Sequence, residues 1–491
     1  MNSKKVRTRF APSPTGFMHV GNLRTALFSY LLAKKRGGIF VLRIEDTDQT
    51  RYVEGAVEMI YHILRETGLQ YDEGPDVGGD YGPYVQSQRK AIYWEYAHKL
   101  INTNHAYYCF CDKERLDKIR EQCRIAKIDP KYDGHCRDLS AEEIQKNLDA
   151  KKPFVIRQKM LTAGTSTFND RVFGTIHVDF SQLDDQVLMK ADGLPTYNFA
   201  NVIDDHLMEI THIIRGSEFL ISTPKYNELY KAFGWEMPTL VHVPPVMKAA
   251  GQKMSKRLGD ASYDDFIKKG YLKDAIINYI ALLGWSPGDN REIFSLSELV
   301  NAFDIKNINK APAIFDEVKL SWLSGEYIRK LPLEEFLQMA LPYINQAVSI
   351  TPLDVRKISQ VLQPRVEKLT DIPSQIDFID SVPDYSLDFY SHQKMKSTPA
   401  SALQFLKSAL PVLNTIDNWT EEQIHTTIFE LINQLKIKTG QLLWPLRIAL
   451  SGKQSTPGGF IEIAYLLGKE ETIKRVKDAT RRLETEKVAG S

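Results

Sequence analysis

The chain has 491 residues, of which 43% are hydrophobic and 25% charged, and its formal net charge is +1. This composition excludes a disordered or fibrous protein and provides enough length for several domains. The sequence contains no apolar run of membrane-spanning length, no apolar signal-peptide core at the N-terminus and only four cysteines, so we expect a cytoplasmic protein.

The N-terminus predicts a strand that breaks into a tight turn and restarts as a helix. Pro12 and Pro14 lack a backbone donor, so the apolar strand at 6–10 cannot continue through them. Beyond the turn, apolar residues recur at helical spacing from His19 toward the glycines at 37–38, which end the helix.

The start of this helix is a candidate phosphate site. His19 and Asn22 share one face of its first turn, beside free backbone N–H groups at the positive end of the helix dipole. Gly16 and Gly21 leave room for a flat ligand to approach the backbone. The alternative on these residues alone is a surface turn that binds no ligand.

Residues 1–95 alternate between strand and helix, with an apolar strand at 39–44 and a helical pattern at 53–68. This βαβ pattern predicts an α/β, Rossmann-like fold with a parallel sheet and a ligand at the carboxyl ends of its strands. Arg9 and Glu45 fall at or near such ends. Glu45 could instead cap the loop or helix that follows it.

The pattern changes over residues 96–190, which we interpret as an insertion that splits the nucleotide-binding fold. Cys109, Cys111, Cys136 and Asp138 form a candidate zinc site, because three thiolates and one oxygen can complete a tetrahedron. The alternative fourth ligand is the neighbouring His135, and the alternative to a metal is a group of buried free cysteines.

The nucleotide-binding fold resumes over residues 191–245. Tyr197 and Asn201 are four residues apart and therefore lie on one face if this segment is helical. An apolar strand then ends at Arg215, whose guanidinium suits bidentate contact with a carboxylate.

Residues 246–325 contain the sequence KMSKR at 253–257, which places three cations within five residues. Lysines such as Lys253 and Lys256 are mobile point charges that can follow phosphate oxygens as charge develops on them. The alternative is a solvated basic loop. Residues 326–491 then show helical periodicities separated by proline-containing breaks, which predicts an all-α region of at least two bundles.

A His-x-Gly-x turn at a strand–helix junction, followed far downstream by KMSKR, resembles the paired signature of class I aminoacyl-tRNA synthetases. Further motifs resemble those of bacterial glutamyl-tRNA synthetases: APSPTG at 11–16, RIEDTD at 43–48, YDEGPDVGG at 71–79 and PTYNFANVIDDH at 195–206. The resemblance runs from about residue 6 to the C-terminus. Asn22 stands where the class has a second histidine, as is usual in the glutamyl branch, and Arg257 stands at the last KMSKS position.

The resemblance implies a role for each candidate residue. The ATP-binding residues would be Gly16, His19, Gly21, Asn22, Lys253, Ser255 and Lys256, with His19, Lys253 and Lys256 as the catalytic ones. The substrate-binding residues would be Arg9, Ala11, Ser13, Glu45, Tyr197, Asn201 and Arg215, with Glu45 on the substrate ammonium. Arg365, in the motif LQPR, would read the anticodon.

The resemblance also implies a domain order: two catalytic halves at 1–95 and 191–245, separated by a tRNA acceptor-end-binding insertion at 96–190. A KMSKR-loop and stem-contact domain would span 246–325, and an all-helical anticodon-binding region 326–491.

The implied protein is a monomeric glutamate–tRNA ligase whose partners are ATP, L-glutamate and tRNA(Glu). It would take Mg²⁺ with ATP and a structural zinc ion. Arginines paired with carboxylates favour glutamate over glutamine, because an amide leaves the charge unpaired. The alternatives are a related adenylate-forming ligase and a non-catalytic tRNA-binding or regulatory paralogue.

Overall fold

The computed structural model describes residues 5–16, 18–249, 252–253, 262–349 and 354–489. The chain divides into two compact units. The first runs to Asp265 and includes Ile276–Asp316, and the second consists of Phe266–Ala275 and Glu317 onward. None of the helices in the described ranges is long and apolar enough to cross a lipid bilayer.

All strands among the described residues belong to the first unit. They are β1 (Arg7–Phe10), β2 (Ile39–Leu42), β3 (Ala106–Cys109), β4 (Val155–Gln158), β5 (Thr165–Asp170), β6 (Gly174–Asp179), β7 (Val187–Met189), β8 (His212–Gly216), β9 (Thr239–Val243), β10 (Val246–Ala249), β11 (Gln252–Lys253) and β12 (Ala313–Ile314).

Both units contain helices. Up to residue 302 they are α1 (Val20–Lys35), α2 (Ala56–Glu66), α3 (Lys90–Asn102), α4 (Lys113–Ala126), α5 (Ala141–Asp149), α6 (Tyr197–Leu207), α7 (Thr223–Phe233), α8 (Tyr263–Lys268), α9 (Lys273–Leu282) and α10 (Leu296–Ala302). Beyond it they are α11 (Glu317–Lys330), α12 (Leu333–Ala347), α13 (Val355–Leu362), α14 (Ile372–Ile376), α15 (Pro399–Asn414), α16 (Glu421–Leu435), α17 (Thr439–Ser451), α18 (Phe460–Leu467) and α19 (Lys469–Ala489).

A six-stranded sheet with the order β2-β1-β8-β9-β5-β6 forms the centre of the first unit. The neighbouring strands are parallel except at the β5–β6 hairpin. This confirms the predicted α/β architecture, in which parallel strands place a ligand at their carboxyl ends.

The hairpin of β5 and β6 lies within the segment predicted as an insertion, residues 96–190, yet it pairs with β9 of the six-stranded sheet. Only β3, β4 and β7 form a separate sheet in that segment. The segment 96–190 therefore does not form one separate sheet, because its β5–β6 hairpin is built into the large sheet, and the predicted domain limits stay predictions.

The turn between β1 and α1 has the predicted form. β1 ends at Phe10, before the two prolines, and α1 begins at Val20. His19 is the N-cap residue, and its Nδ1 accepts a hydrogen bond from the Gly21 N–H at 3.0 Å. This bond satisfies one of the first-turn N–H groups that a helix leaves without a partner.

The described part of the second unit is helical, as predicted. Its core is a continuous cluster of buried aliphatic and aromatic side chains from α12 to α19, including Phe336, Phe405, Leu446 and Phe460. The helices bury one apolar face each, which is how a bundle is stabilised.

Candidate active site

A cavity of about 490 Å³ lies at the carboxyl ends of β1, β8 and β9. Nine of the predicted site residues line it: Arg9, Ala11, Ser13, His19, Gly21, Asn22, Glu45, Tyr197 and Arg215. Residues far apart in the sequence therefore converge on one space, which is typical of a ligand site in a parallel α/β fold.

Two predicted residues lie beside the cavity and do not line it. Gly16 has φ +136° in the turn before α1, a conformation that favours glycine. Asn201 is buried one helical turn after Tyr197, and its Nδ2 donates to the Tyr197 carbonyl at 2.7 Å. The Tyr197 ring packs on Phe219, with 5.1 Å between the ring centroids.

Buried charges hold Arg9 and Glu45 at the floor of the site. Arg9 Nε donates to Asp205 Oδ1 at 3.0 Å, and Asp205 also accepts from Arg43 Nη1 at 2.8 Å. Arg43 in turn donates from Nη2 to Glu45 Oε1 at 2.8 Å. The four side chains are at most 4% exposed, and pairing of this kind is what keeps buried charges tolerable.

The pKa values follow from this arrangement. Burial raises the pKa of Glu45, although the charges of Arg43 and Arg9 oppose that rise. Burial also acts to raise the pKa of Asp205, but the same two arginines outweigh it and hold that pKa below its ordinary value. Asp205 is therefore the ionised anchor of the network.

Arg215, which also lines the cavity, is held by side chains of other elements. Its Nε donates to His242 Nε2 at 3.0 Å, and its Nη2 donates to Thr223 Oγ1 at 3.2 Å. His242 Nδ1 lies 2.8 Å from Asp170 Oδ2. The guanidinium also lies over the Tyr226 ring, 4.7 Å from its centroid.

Three buried atoms of residues that line the cavity lack a hydrogen-bond partner among the described residues: Arg24 Nε, Glu45 Oε2 and Arg215 Nη1. Unpaired buried polar groups are costly, so a ligand that pairs with such a group is stabilised. Glu45 Oε2 is an acceptor, and Arg215 Nη1 is a cationic donor. Together these two groups match the ammonium and a carboxylate of an amino acid.

One side of the cavity is formed by the start of α1. His19, Gly21 and Asn22 line it, together with Arg24 of the second helical turn. Burial lowers the pKa of Arg24 to about 10, with the charge of Glu218 opposing this effect. Arg24 also donates to the carbonyls of Leu283 and Pro244, so its charge is fixed in place.

The KMSKR prediction falls largely outside the described residues. Lys253 closes β11, but its side chain lies outside the described part of the chain, as do Ser255 and Lys256. The contribution of these residues to ATP binding stays a prediction.

The candidate zinc site brings three thiols together. Their Sγ atoms, from Cys109, Cys111 and Cys136, lie within 4.8 Å of one another and form the one such group found among the described residues. The Tyr132 hydroxyl lies 3.3 Å from Cys109 Sγ and 3.5 Å from Cys111 Sγ. The predicted fourth ligand Asp138 does not join the group.

Asp138 faces solvent. Its side chain is 84% exposed, and it lies 3.6 Å from Lys159 Nζ. The hydroxyl of Tyr132 lies beside two of the thiols instead, and it also accepts from the Cys136 N–H at 3.0 Å. Sequence spacing favoured Asp138 because it follows Cys136 closely, but the chain directs that carboxylate outward.

Arg365, predicted to read the anticodon, follows α13 in the second unit. Its side chain is 42% exposed, with Nη2 3.5 Å from Glu462 Oε1 and Nη1 3.3 Å from the Val361 carbonyl. The guanidinium is therefore accessible and only weakly held.

The sequence analysis missed the buried residues behind the pocket: Arg43, Asp170, Asp205 and His242. His242 is a polar residue within the apolar strand β9, and Asp170 ends a strand of alternating exposure. A buried polar residue in an apolar strand was the available signal, since such residues need a partner.

Comparison with known proteins identifies the catalytic and helical parts. Residues 5–322 match the family described as "tRNA synthetases class I (E and Q), catalytic domain". Residues 335–480 match the family described as "Anticodon binding domain".

Full-length relatives are similar over nearly the whole chain. A glutamate–tRNA ligase of Clostridium tetani is 60% identical over 99% of both chains, and one of Clostridium botulinum is 59% identical over 97% of this chain and 99% of its own. A crystal structure of a glutamate tRNA ligase from Elizabethkingia meningosepticum, in complex with its amino acid, superposes with a TM-score of 0.87. It is 36% identical to this chain and covers 98% of it, with 100% of its own length matched.

Proposed function

This chain belongs to the glutamate–tRNA ligases of the class I tRNA synthetase family, and on that premise we propose how its residues join L-glutamate to tRNA(Glu). The reaction has two steps, activation of glutamate by ATP and transfer of the glutamyl group to tRNA. Neither step needs a covalent intermediate on the protein, so the protein contributes positioning and electrostatic stabilisation.

The amino acid occupies the cavity between Glu45 and Arg215. The unpaired Glu45 Oε2 accepts from the substrate ammonium, and the unpaired Arg215 Nη1 donates to a substrate carboxylate. Arg9, held by Asp205, supplies a second guanidinium for the other carboxylate. These two unpaired atoms are the observation that carries the proposal, because they match an amino acid in charge and polarity.

Glutamate is preferred over glutamine because the pocket presents two guanidinium groups, Arg9 and Arg215. Glutamate brings two carboxylates to them. Glutamine brings one carboxylate and an amide, so one buried positive charge would lose its counter-charge. Tyr197, Ala11 and Ser13 complete the wall of the pocket.

ATP lies along the start of α1, where His19, Gly21 and Asn22 border the cavity. The glutamate α-carboxylate attacks the α-phosphorus in line, pyrophosphate leaves, and glutamyl-adenylate remains. When bound with ATP, Mg²⁺ would supply positive charge that neutralises the phosphates. Lys253 and Lys256, with Ser255, follow the phosphate oxygens as charge develops on them.

The terminal ribose hydroxyl of tRNA then attacks the activated carbonyl and releases AMP. The segment 96–190 is proposed to hold the acceptor end and the segment 246–325 the stem beside it. The helical region 326–491 binds the anticodon, with Arg365 on a base.

Zinc is proposed as a structural ion of the acceptor-end segment, held by Cys109, Cys111, Cys136 and Tyr132. A tetrahedron with Zn–S of about 2.3 Å and Zn–O of about 2.0 Å has S···O edges of about 3.5 Å. The Tyr132 oxygen lies 3.3 and 3.5 Å from two of the sulfurs. Arg157 lies 3.8 Å from the centroid of the Tyr132 ring and offsets the negative charge of the ligands.

Thiolate ligands persist in reducing surroundings, and the four cysteines are free. This supports the cytoplasm as the site of the reaction.

Pyrophosphate exchange into ATP tests the proposed substrate directly. The purified protein is assayed with glutamate and with glutamine, each with and without tRNA(Glu). We expect exchange with glutamate and little with glutamine. Exchange with glutamine at a comparable rate would contradict the proposed pocket, and no exchange under any condition would favour a non-catalytic paralogue.

A further inference from the structure

Arg215 and His242 face each other on neighbouring parallel strands. Arg215 pairs with His242 in the register of β8 and β9. Both are buried, at 4% and 0% exposure. The contact between them is therefore part of the sheet and is shielded from water.

The two partners of the His242 ring, Arg215 and Asp170, determine which ring nitrogen donates and which accepts. A guanidinium N–H can only donate, so Arg215 Nε donates to His242 Nε2, which must be unprotonated. At the other end the carboxylate of Asp170 can only accept, so His242 Nδ1 donates to it. A single neutral tautomer satisfies both ends.

Asp170 is itself held firmly at the end of β5. Its Oδ1 accepts from the N–H groups of Val172 and Phe173 at 2.9 and 2.8 Å, and its Oδ2 accepts from the His242 N–H at 3.0 Å. The backbone thus fixes the carboxylate, and the carboxylate fixes the ring.

The His242 ring also determines which guanidinium nitrogen of Arg215 is left for a ligand. Nε donates to His242 and Nη2 to Thr223, so Nη1 is the guanidinium nitrogen that has no partner among the described residues, in a side chain that lines the cavity. A guanidinium locked in this way loses no rotamer freedom when a carboxylate arrives.

We propose that His242 and Asp170 are positioning residues for the amino acid, which hold Arg215 so that Nη1 points at a substrate carboxylate. This inference rests on the proposed function of the cavity as the glutamate pocket. It assigns a role in substrate binding to the β5–β6 hairpin, which lies between the two halves predicted to carry the active site. Burial lowers the pKa of His242 although Asp170 opposes this, which favours the neutral ring that the contact requires.

The two amide replacements of His242 separate positioning from packing. His242→Gln reaches about as far as Nε2 and keeps an acceptor for Arg215, while it gives up the bond to Asp170. His242→Asn reaches about as far as Nδ1, so it keeps the bond to Asp170 but leaves Arg215 Nε without a partner. If His242 served only to satisfy the buried Asp170, the asparagine variant would have the lower KM for glutamate of the two.

The measurement is aminoacylation of tRNA(Glu), with separate KM values for glutamate and ATP. We expect the KM for glutamate to rise at least roughly tenfold in His242→Asn and less in His242→Gln, with the KM for ATP almost unchanged. The proposal would be overturned if the KM for glutamate of His242→Asn were equal to or lower than that of His242→Gln. It would also be overturned if the KM for ATP rose in parallel.

Asp170→Asn provides a second variant if the His242 variants do not fold. The amide of this variant can donate to His242 Nδ1, so the ring proton moves to Nε2. The His242 Nε2–H and the Arg215 Nε–H are then two donors that face each other without an acceptor. The same selective rise in the KM for glutamate is expected, and an unchanged KM would overturn the proposal. If the wild-type protein does not use glutamate, the proposed function fails; if it does and these variants bind glutamate normally, only the positioning role fails.

Discussion

Glu45 lines the cavity, and only one of its two carboxylate oxygens is hydrogen-bonded among the described residues. Oε1 is bound by Arg43, and Oε2 is buried without a partner among the described residues. Glu45→Gln keeps the size of the side chain but removes the charge facing the ammonium. We expect the KM for glutamate to rise roughly 30-fold, equivalent to about 2 kcal/mol, because a hydrogen bond to a charged group is lost. Steady-state kinetics at saturating ATP measure this change.

The same residue predicts a pH dependence. Only ionised Glu45 binds the ammonium, and burial raises its pKa above the ordinary 4.5. The KM for glutamate should therefore rise as the pH falls through that raised pKa, at a higher pH than an ordinary glutamate would cause. In Glu45→Gln this dependence should be lost, and an identical pH profile in the two proteins would remove Glu45 from the site.

Asp205 is predicted to stabilise the fold as well as the site. Asp205→Asn would leave the buried Arg9 and Arg43 without their shared counter-charge, at a cost of about 3–5 kcal/mol in unfolding free energy. Because the pKa of folded Asp205 lies below its ordinary 3.8, this contribution is complete above that value and is lost as the pH falls through the lower one.

Urea unfolding at pH 7 and pH 5 measures the cost and checks that the contribution is complete above 3.8, since the difference in unfolding free energy should be the same at the two pH values. Asp117→Asn is the control, because Asp117 is half-exposed and pairs with Arg120 on the surface. A variant of Asp205 as stable as this control would contradict the buried network.

At the residue scale, the sequence predicted the groups that face the cavity and missed those behind them. Arg9, Glu45 and Arg215 follow strand ends or belong to recognisable motifs, so local patterns find them. Asp170 and His242 act through a contact between strands 72 residues apart in the chain. No local spacing predicts such a partner, because the register of a parallel sheet is set by long-range pairing.

At the scale of elements, the turn into α1 was predictable and the place of the β5–β6 hairpin was not. Pro12, Pro14 and the helical periodicity after His19 act locally, and they fix the end of β1 and the start of α1. The sequence of the hairpin favours strands, but the pairing of these strands with β9 depends on the tertiary fold.

The zinc ligands also belong to this scale, because their segments meet only in the fold. Tyr132→Phe removes the oxygen beside Cys109 and Cys111, so we expect the zinc affinity to fall at least roughly tenfold. Asp138→Asn, the matched control, should keep the affinity of the wild type, since that carboxylate is exposed. Metal content after dialysis against a graded chelator measures both, and loss of zinc in the Asp138 variant alone would contradict the assignment.

At the scale of the molecule, amino-acid activation and anticodon binding are assigned to different units of the chain. Arg365→Ala should raise the KM for tRNA roughly tenfold while the KM values for ATP and glutamate stay unchanged, because a base contact is lost far from the pocket in sequence. Arg356→Ala is the matched control: Arg356 is an exposed arginine of α13 that pairs with Glu334. Equal effects of the two substitutions would remove Arg365 from the anticodon site.

The most direct test of the whole account is the transfer of labelled amino acid to a tRNA(Glu) transcript by the purified full-length chain with ATP and Mg²⁺. The account predicts that glutamate is attached to the 3′ end, that glutamine is not, and that Arg215→Ala abolishes the attachment of glutamate. Attachment of glutamine, or attachment of glutamate undiminished in Arg215→Ala, would contradict the claim that this cavity selects and activates glutamate.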